Sequence, residues 1–480
     1  MKLASLRHHH AVARHIVKPI NKSLGLLALG LATLGASTAQ AAPVIPGAAG
    51  FGMETPAGRG GTVYKVTNLS ASGTGSLKAC VDGTTARICV FEVSGVIRLT
   101  SDLIIRNSKI TIAGQTAPSP GIMIRGAAIR IQASDVLIQH IRVRTGDDTN
   151  GPDPDNRDSL KIEGSTAKPV KNIVIDHCSF SWAIDEIASA WGPTDNITFS
   201  NNIFAEPLNE SIHPAYSGSG VQKHGFGVLY GSSPGSSFTM VGNLFAHIVE
   251  RNPLSRASEF VFVNNVVYDR GTMDLDLQSQ DGVVTKSSVV GNVFLRGPSF
   301  SRDTRPIYVR TTGSLSLFSG SRVYTSDNYA PESTNGLISL TGGDVIPSLM
   351  QTVTIPVWNT GLTARATANS AVYNRVLSFA GARPADRDSV DRRIVQSVKS
   401  RNGQVINCVA SNGTTRCNKN AGGWPSYAQN RRTLTLPANP NTVASNGYTN
   451  LENWLHTMDL NVAGVVSAQS PTSPPALSVR

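Results

Sequence analysis

Two arginines, Arg251 and Arg256, bracket the segment RNPLSR, and three carboxylates stand upstream of them: Asp158, opening DSLKIEG, and the adjacent pair Asp185 and Glu186 in SWAIDEIASAW. Carboxylate oxygens gathered on one surface suit Ca2+, which takes about six to eight hard oxygen ligands from Asp, Glu, carbonyls and water. Two guanidinium groups fixed either side of a rigid proline suit an anionic ligand with regularly spaced charges. A cation site completed by ligand oxygens, next to two fixed positive charges, could hold such a ligand and polarise it. These residues are far apart in the chain, so the chemistry depends on a fold that returns to one groove repeatedly.

The sequence contains such a device. ITFSNNIF (197–204), FTMVGNLF (238–245), FVFVNNVV (260–267) and SSVVGNVF (287–294) superimpose without gaps, and IVIDHCSF (173–180) fits the same frame with Cys178 in place of the asparagine. The register residues 178, 202, 243, 265 and 292 are spaced by 24, 41, 22 and 27. A period in the low twenties made of short alternating strands is one turn of a solenoid. The expected fold is therefore all-β, a parallel β-helix with Val, Ile, Leu and Phe inside and asparagines hydrogen-bonding up the stack. LIIRNSKITIAG (103–114), the run 122–144 and LKIEG (160–164) continue the same texture upstream. Equivalent positions on successive coils lie about 4.8 Å apart, so Asp158, Asp185, Glu186 and the arginines can share one groove. The long interval carries 205–227 out of the cylinder as an excursion loop. Beyond residue 320 the pattern fades, and Val390, Ile394 and Val398 in 385–400 have the spacing of a helix packed back on the cylinder.

The remaining features bound the setting. A basic, acid-free start with Lys2, Arg7, Arg14, Lys18 and Lys22 leads into the apolar run LGLLALGLATLGA (24–36) and then AQA, the layout of a secretory signal cut after Ala41. The apolar run is too short to span a bilayer comfortably and no second one follows, so a soluble secreted or periplasmic protein is expected, without a membrane or nucleic-acid partner. Removing the leader removes five of the basic residues and lowers the formal net charge from +11 to +6, a moderate excess compatible with an anionic ligand. In an oxidising compartment Cys80 with Cys89, and Cys408 with Cys417, would each close a short loop, and Cys178 is expected as a buried free thiol. The expected organisation is a leader over 1–41, a β-helical catalytic domain over 42–400, a C-terminal extension with a short disulfide loop over 401–466, and a disordered Ser/Pro-rich tail over 467–480.

In their order and spacing, VIDHCSF, ITFSNN, NLF followed by RNPLSR, and NNVVYD resemble the pectate lyases of polysaccharide lyase family one. GGTVYKVTNLSASGTGSLKACV (60–81) with CVFEVSGVI (89–97) is similar to that family's N-terminal segment, and the resemblance extends from about Gly50 to about Asp269. It implies a right-handed parallel β-helix that cleaves polygalacturonate by β-elimination with Ca2+; the chain is expected to act as a monomer. Asp158 and Asp185 fall where the family places calcium carboxylates. The position four beyond Asp185, often a further carboxylate, is Ser189 here, and the third ligand passes to Glu186. Arg251 falls on the catalytic arginine and Arg256 on a substrate-binding one. The substrate-binding lysine has no clean counterpart because 205–227 interrupts the match; Lys223 is the first candidate and His224 the second.

Arginine ionises above about pH 12 and is a poor base. Arg251 must either have a depressed pKa or act electrostatically while hydroxide, Lys223 or His224 takes the proton. Three other readings stay open on the residues: a β-helical polygalacturonase-type hydrolase, a lyase for another uronate polymer, and a non-catalytic carbohydrate-binding β-helix. Against the hydrolase, neighbouring residues such as Asp185 and Glu186 on one strand should point to opposite faces unless a bend intervenes.

Overall fold

The computed structural model describes residues 42–214, 222–301, 306–310, 313–332 and 369–465. The expected leader (1–41) and tail (467–480) lie outside them, as does part of the 205–227 loop. Short strands recur along the chain and pair only with strands a coil away, always parallel. One stack runs through Arg87–Phe91, Ile110–Ala113, Val136–Gln139, Val170–Asp176 and Thr194–Ser200. A second runs through Leu103–Ile105, Ile129–Ile131, Leu160–Glu163 and Glu186–Trp191. The long strand Phe226–Val241 pairs with both and joins them into one sixteen-stranded sheet. The third stack is an eight-stranded sheet from Gly95–Arg98 to Val293–Leu295. Such a closed coil of parallel strands is a parallel β-helix.

Alternation along the strands sends apolar residues inward, where like packs on like. Phe180, Phe204 and Phe245 stack at centroid distances of 5.6 and 5.3 Å. Between the first and third stacks the chain turns through an asparagine whose amide is buried and paired up the axis. The Nδ2 of Asn202 donates to Asn243 Oδ1 (3.1 Å), Asn243 to Asn265 (3.0 Å), Asn265 to Asn292 (3.1 Å) and Asn292 to Asn328 (2.9 Å). Cys178, at the same corner, donates its backbone N–H to Asn202 Oδ1 at 2.8 Å and is a buried free thiol. Asn243→Ala strips the partner from the Asn202 N–H, 2.9 Å away. It should cost about 2–4 kcal/mol, because a buried polar group is left unpaired; denaturant unfolding with an unchanged m-value checks this.

The outer face of the third stack is apolar and needs a cover. Helix α1 (Leu77–Val81) caps the start of the coil, whereas α2 (Asn369–Phe379) and α3 (Ser389–Ser400) lie on that face. Val376, Leu377, Val390, Ile394 and Val398 pack with Ile203, Leu244 and Val266. The helix read from 385–400 is thus α3, and α2 is an addition that the sequence reading lacked. The N-terminal end of α3 is pinned by buried charge: Arg144 contacts Asp388 at 2.6 Å and Asp391 at 2.7 Å, and Arg142 reaches Asp391 at 3.0 Å. After α3 the chain runs back along the cylinder, and α4 (Asn450–Ala463) places Leu451 and Leu455 against Ile88, Val90 and Ala113. Disulfides join Cys80 to Cys89 and Cys408 to Cys417. Among the described residues, no helix is long and apolar enough to cross a membrane.

Candidate active site

The second stack positions the site. Asp158 lies two residues before Leu160, where Leu160–Glu163 begins, Asp185 lies in a bend before Glu186–Trp191, and Arg251 precedes Leu254–Val263. The rungs are consecutive: Leu160 pairs with Ala188, Glu186 with Phe226, and Phe226 with Glu250. Residues that enter equivalent strands at the same end therefore collect on one flank of the coil.

Asp158, Asp185 and Glu186 each direct a carboxylate oxygen into one cluster, with those atoms within 4.8 Å of one another. The bend on which a shared site for Asp185 and Glu186 depends is present. Alternation applies inside a strand, but Asp185 sits in the bend, where the N–H groups of Ile184 and Asp185 both donate to the carbonyl of Arg157 (3.0 and 3.2 Å). Asp158 is fully buried. Its Oδ2 accepts from the hydroxyl of Ser189, while its Oδ1 has no hydrogen-bond partner. Burial, then the neighbouring Asp185 charge, push the Asp158 carboxyl well above the usual carboxylate range. A buried carboxylate crowded by like charge, with an oxygen left unpaired, is what a hard cation would satisfy. The donor set fits Ca2+, with Ser189 bracing a ligand rather than supplying a charge.

Arg251 closes the cluster. Its guanidinium pairs with Glu186 and lies over the Phe226 ring, 4.1 Å from the centroid. Its backbone has φ 64, a left-handed conformation that costs a side-chain-bearing residue energy and marks a position held by its surroundings. The neighbouring coil supplies the hold, since Val228 N–H donates to the Arg251 carbonyl at 2.7 Å. Burial is the largest influence on this guanidinium and lowers its pKa to about 10; Asp185 opposes the shift and Arg256 adds to it. Arg256 is five residues further along, inside Leu254–Val263, with Nε donating to Gln278 (3.0 Å) and Nη1 to Gln280 (2.6 Å). Neutral partners leave its charge uncompensated by direct ion pairing, unlike Arg310, which pairs with Asp276 at 3.0 Å.

The two loop candidates part company. His224 joins the cluster, its Nε2 2.7 Å from Asp185 Oδ1, stacked on His213 at 4.0 Å and an interplanar angle of 3°. Lys223 pairs with Glu210 at 2.7 Å and is mostly exposed. Sequence reading missed His213, Phe226 and the glutamines. His213 is buried, and burial with the adjacent His224 lowers its pKa. It lies in a loop without periodicity, so nothing in the sequence marked it. The glutamines follow one coil after Arg256 and could have been found by extending the repeat frame across the stack.

Comparison with known proteins finds relatives along most of the chain. Probable pectate lyase C of Aspergillus fumigatus (strain CBS 144.89) is 32% identical over 432 residues, covering 86% of this chain and 93% of that protein. The protein of the same name from Aspergillus terreus is 32% identical over 435 residues, with the same coverage. No family model matches. Among solved structures, pectate lyase II from Xanthomonas campestris aligns with a TM-score of 0.44 at 14% identity, over 71% of this chain and 100% of that one. The molecule is a polysaccharide lyase built on a parallel β-helix. Specifically, the chain belongs to the pectate lyase family.

Proposed function

We propose that this enzyme is a calcium-dependent pectate lyase that cleaves polygalacturonate by β-elimination, releasing 4,5-unsaturated oligogalacturonides. The observation that carries the reading is the half-buried Arg251 guanidinium, set over the Phe226 ring and against the carboxylate cluster of Asp158, Asp185 and Glu186. In the reaction the C5 proton, alpha to the uronate carboxylate, is removed. Its bonding electrons form the C4–C5 double bond as the C4–O4 bond breaks, and the departing oxygen takes up a proton. Negative charge builds on the uronate carboxylate as C5 loses its proton.

Asp158, Asp185 and Glu186 would hold Ca2+, which when bound supplies positive charge to that carboxylate and favours the transition state over the ground state. Arg251 stands beside this cluster with a pKa drawn down to about 10, so a neutral guanidine is far more accessible than in water. That supports its removing the C5 proton. Its pairing with Glu186 and its seat on Phe226 fix the direction in which its nitrogens point. Arg256, held in position by Gln278 and Gln280, would bind a neighbouring uronate. His224 lies beside Asp185 and would line the same subsite, while Lys223 would reach substrate only by leaving Glu210.

Because Arg256 binds a charge present before and after the chemical step, Arg256→Lys should raise KM about tenfold and change kcat little; steady-state kinetics on polygalacturonate check it. The whole reading is tested by ultraviolet absorbance of the unsaturated product on polygalacturonate, esterified pectin and alginate, each with and without chelator. Activity on polygalacturonate lost in chelator and restored by Ca2+ is expected. Reducing ends without absorbance would establish hydrolysis instead. We further propose export after Ala41, action as a monomer outside the cytoplasm, a catalytic domain over 42–400 and an extension over 401–466 that strengthens the cylinder's flank.

A further inference from the structure

Away from the groove, where α4 meets the cylinder, three donors converge that the lyase reaction does not use. His140 and His177 occupy equivalent turns of successive coils, as the pairing of Gln139 with Asp176 requires, and their rings stack at 5.2 Å with an interplanar angle of 13°. Asp459, on α4, reaches over them. His140, His177 and Asp459 each offer an atom within 4.8 Å of the others.

The hydrogen bonds behind the rings fix which nitrogens are offered. His140 Nδ1 lies 2.6 Å from the carbonyl oxygen of Ala382. A carbonyl only accepts, so Nδ1 carries hydrogen. His177 Nδ1 lies 2.8 Å from Asp176 Oδ2. Asp176 is buried and also accepts from Gln139 (3.0 Å), Ser200 (2.7 Å) and Asn201 (3.1 Å), so it is a carboxylate and His177 Nδ1 is the donor. In the neutral rings both Nε2 atoms therefore present lone pairs. His140 Nε2 meets Asp459 Oδ1 at 2.5 Å, a contact between two acceptors unless a cation or a proton resolves it.

Imidazoles whose rear N–H is donated to a carboxylate or a carbonyl, with the front nitrogens converging on a further carboxylate, form the arrangement found behind metal-bound histidines. We propose that His140, His177 and Asp459 form a site for Zn2+ or a similar divalent transition metal, which ties α4 to the β-helix. Two imidazoles and one carboxylate suit Zn2+, with water as the fourth ligand, whereas Ca2+ prefers an all-oxygen shell. The side chains of His177 and Asp459 are 12% and 14% exposed, which gives an ion and its water a route in. Ligand atoms about 2.1 Å from a tetrahedral ion sit about 3.4 Å apart, so the Asp459 carboxylate must draw back by just under an ångström. It sits on a partly exposed helix face and has room to do so.

The test uses the full mature chain stripped with chelator, then titrated with Zn2+ in excess Ca2+ so that the groove carboxylates are occupied. Bound zinc is counted by atomic emission, and thermal melting is followed in parallel. One tightly held equivalent, a zinc-dependent rise in melting temperature, and loss of both in His177→Ala and Asp459→Ala are expected. Each variant should weaken binding by about a hundredfold or more, and Co2+ should give visible bands in the wild type alone. Retention of the equivalent in both variants would overturn the proposal. So would its loss in His224→Ala, which would move the metal to Asp185, His213 and His224. Absence of zinc binding, with both variants altering only the pH dependence of melting, would show a proton-bridged His140 and Asp459 pair and overturn it equally. The chain tested begins at Ala42, after the proposed cleavage site, so the histidines at positions 8–10 do not add to the count.

Discussion

Arg251→Lys is expected to lower kcat on polygalacturonate by about two to three orders of magnitude while KM moves by less than about threefold. A loss of that size follows when one group that stabilises developing charge is removed. Lysine keeps a positive charge, so long-range attraction of an anionic chain survives. It lacks the planar fork that pairs with Glu186 while sitting over the Phe226 ring. The ammonium would also be free to rotate, so no nitrogen is held against C5. The left-handed backbone at position 251 is a constraint that lysine tolerates as well as arginine does, so the fold should persist. Steady-state kinetics, with circular dichroism to confirm folding, read the outcome. Near wild-type kcat in a folded variant would make RNPLSR a binding element and move the base to the loop that holds His213 and His224.

The coil was legible because its two strongest signals, alternation and the recurring asparagine, are local. Four asparagines in one frame report directly on a ladder that needs each amide to meet the next. Asn328, which continues the ladder, does not stand out because Tyr329 and Ala330 follow it where the other frames carry an aliphatic and then Phe or Val. Helix α4 carries a capping box, Thr449 with Glu452, yet only one narrow stripe of its residues meets the cylinder, so its apolar period is weak. At the site, residue types and coil spacing pointed to Asp158, Asp185, Glu186 and Arg251, which the structure gathers into one cluster. What they could not convey was a bend. Strand alternation separates Asp185 from Glu186, and a pair of N–H groups shared by the Arg157 carbonyl brings them together. His213 depends on a loop whose path is set by contacts distant in sequence, such as the bridge from Leu208 to Ile406.

Asp158→Asn should act in opposite directions with and without calcium. The carboxylate is fully buried among Asp185 and Glu186, and its Oδ1 lacks a hydrogen-bond partner. Without a cation, ionising it is costly, which is why burial and Asp185 raise its pKa. For an acid whose folded pKa is raised, the folded state holds the proton more tightly than the unfolded chain. Stability then falls as pH climbs past the unfolded value, about 4, and continues to fall until the folded pKa is passed. An amide cannot ionise, so in chelator at neutral pH the variant should melt a few degrees higher and lack this falling limb. With calcium the carboxylate becomes a ligand, and its loss should raise the Ca2+ concentration for half-maximal activity by at least about tenfold. The calcium-dependent rise in melting temperature should shrink in step, by linkage between binding and folding. Melting curves across pH, with chelator and with Ca2+, alongside calcium titrations of activity, measure all three. An unchanged calcium requirement in a folded Asp158→Asn enzyme would remove this carboxylate from the cation site and leave Asp185 and Glu186 to hold the ion with substrate oxygens alone.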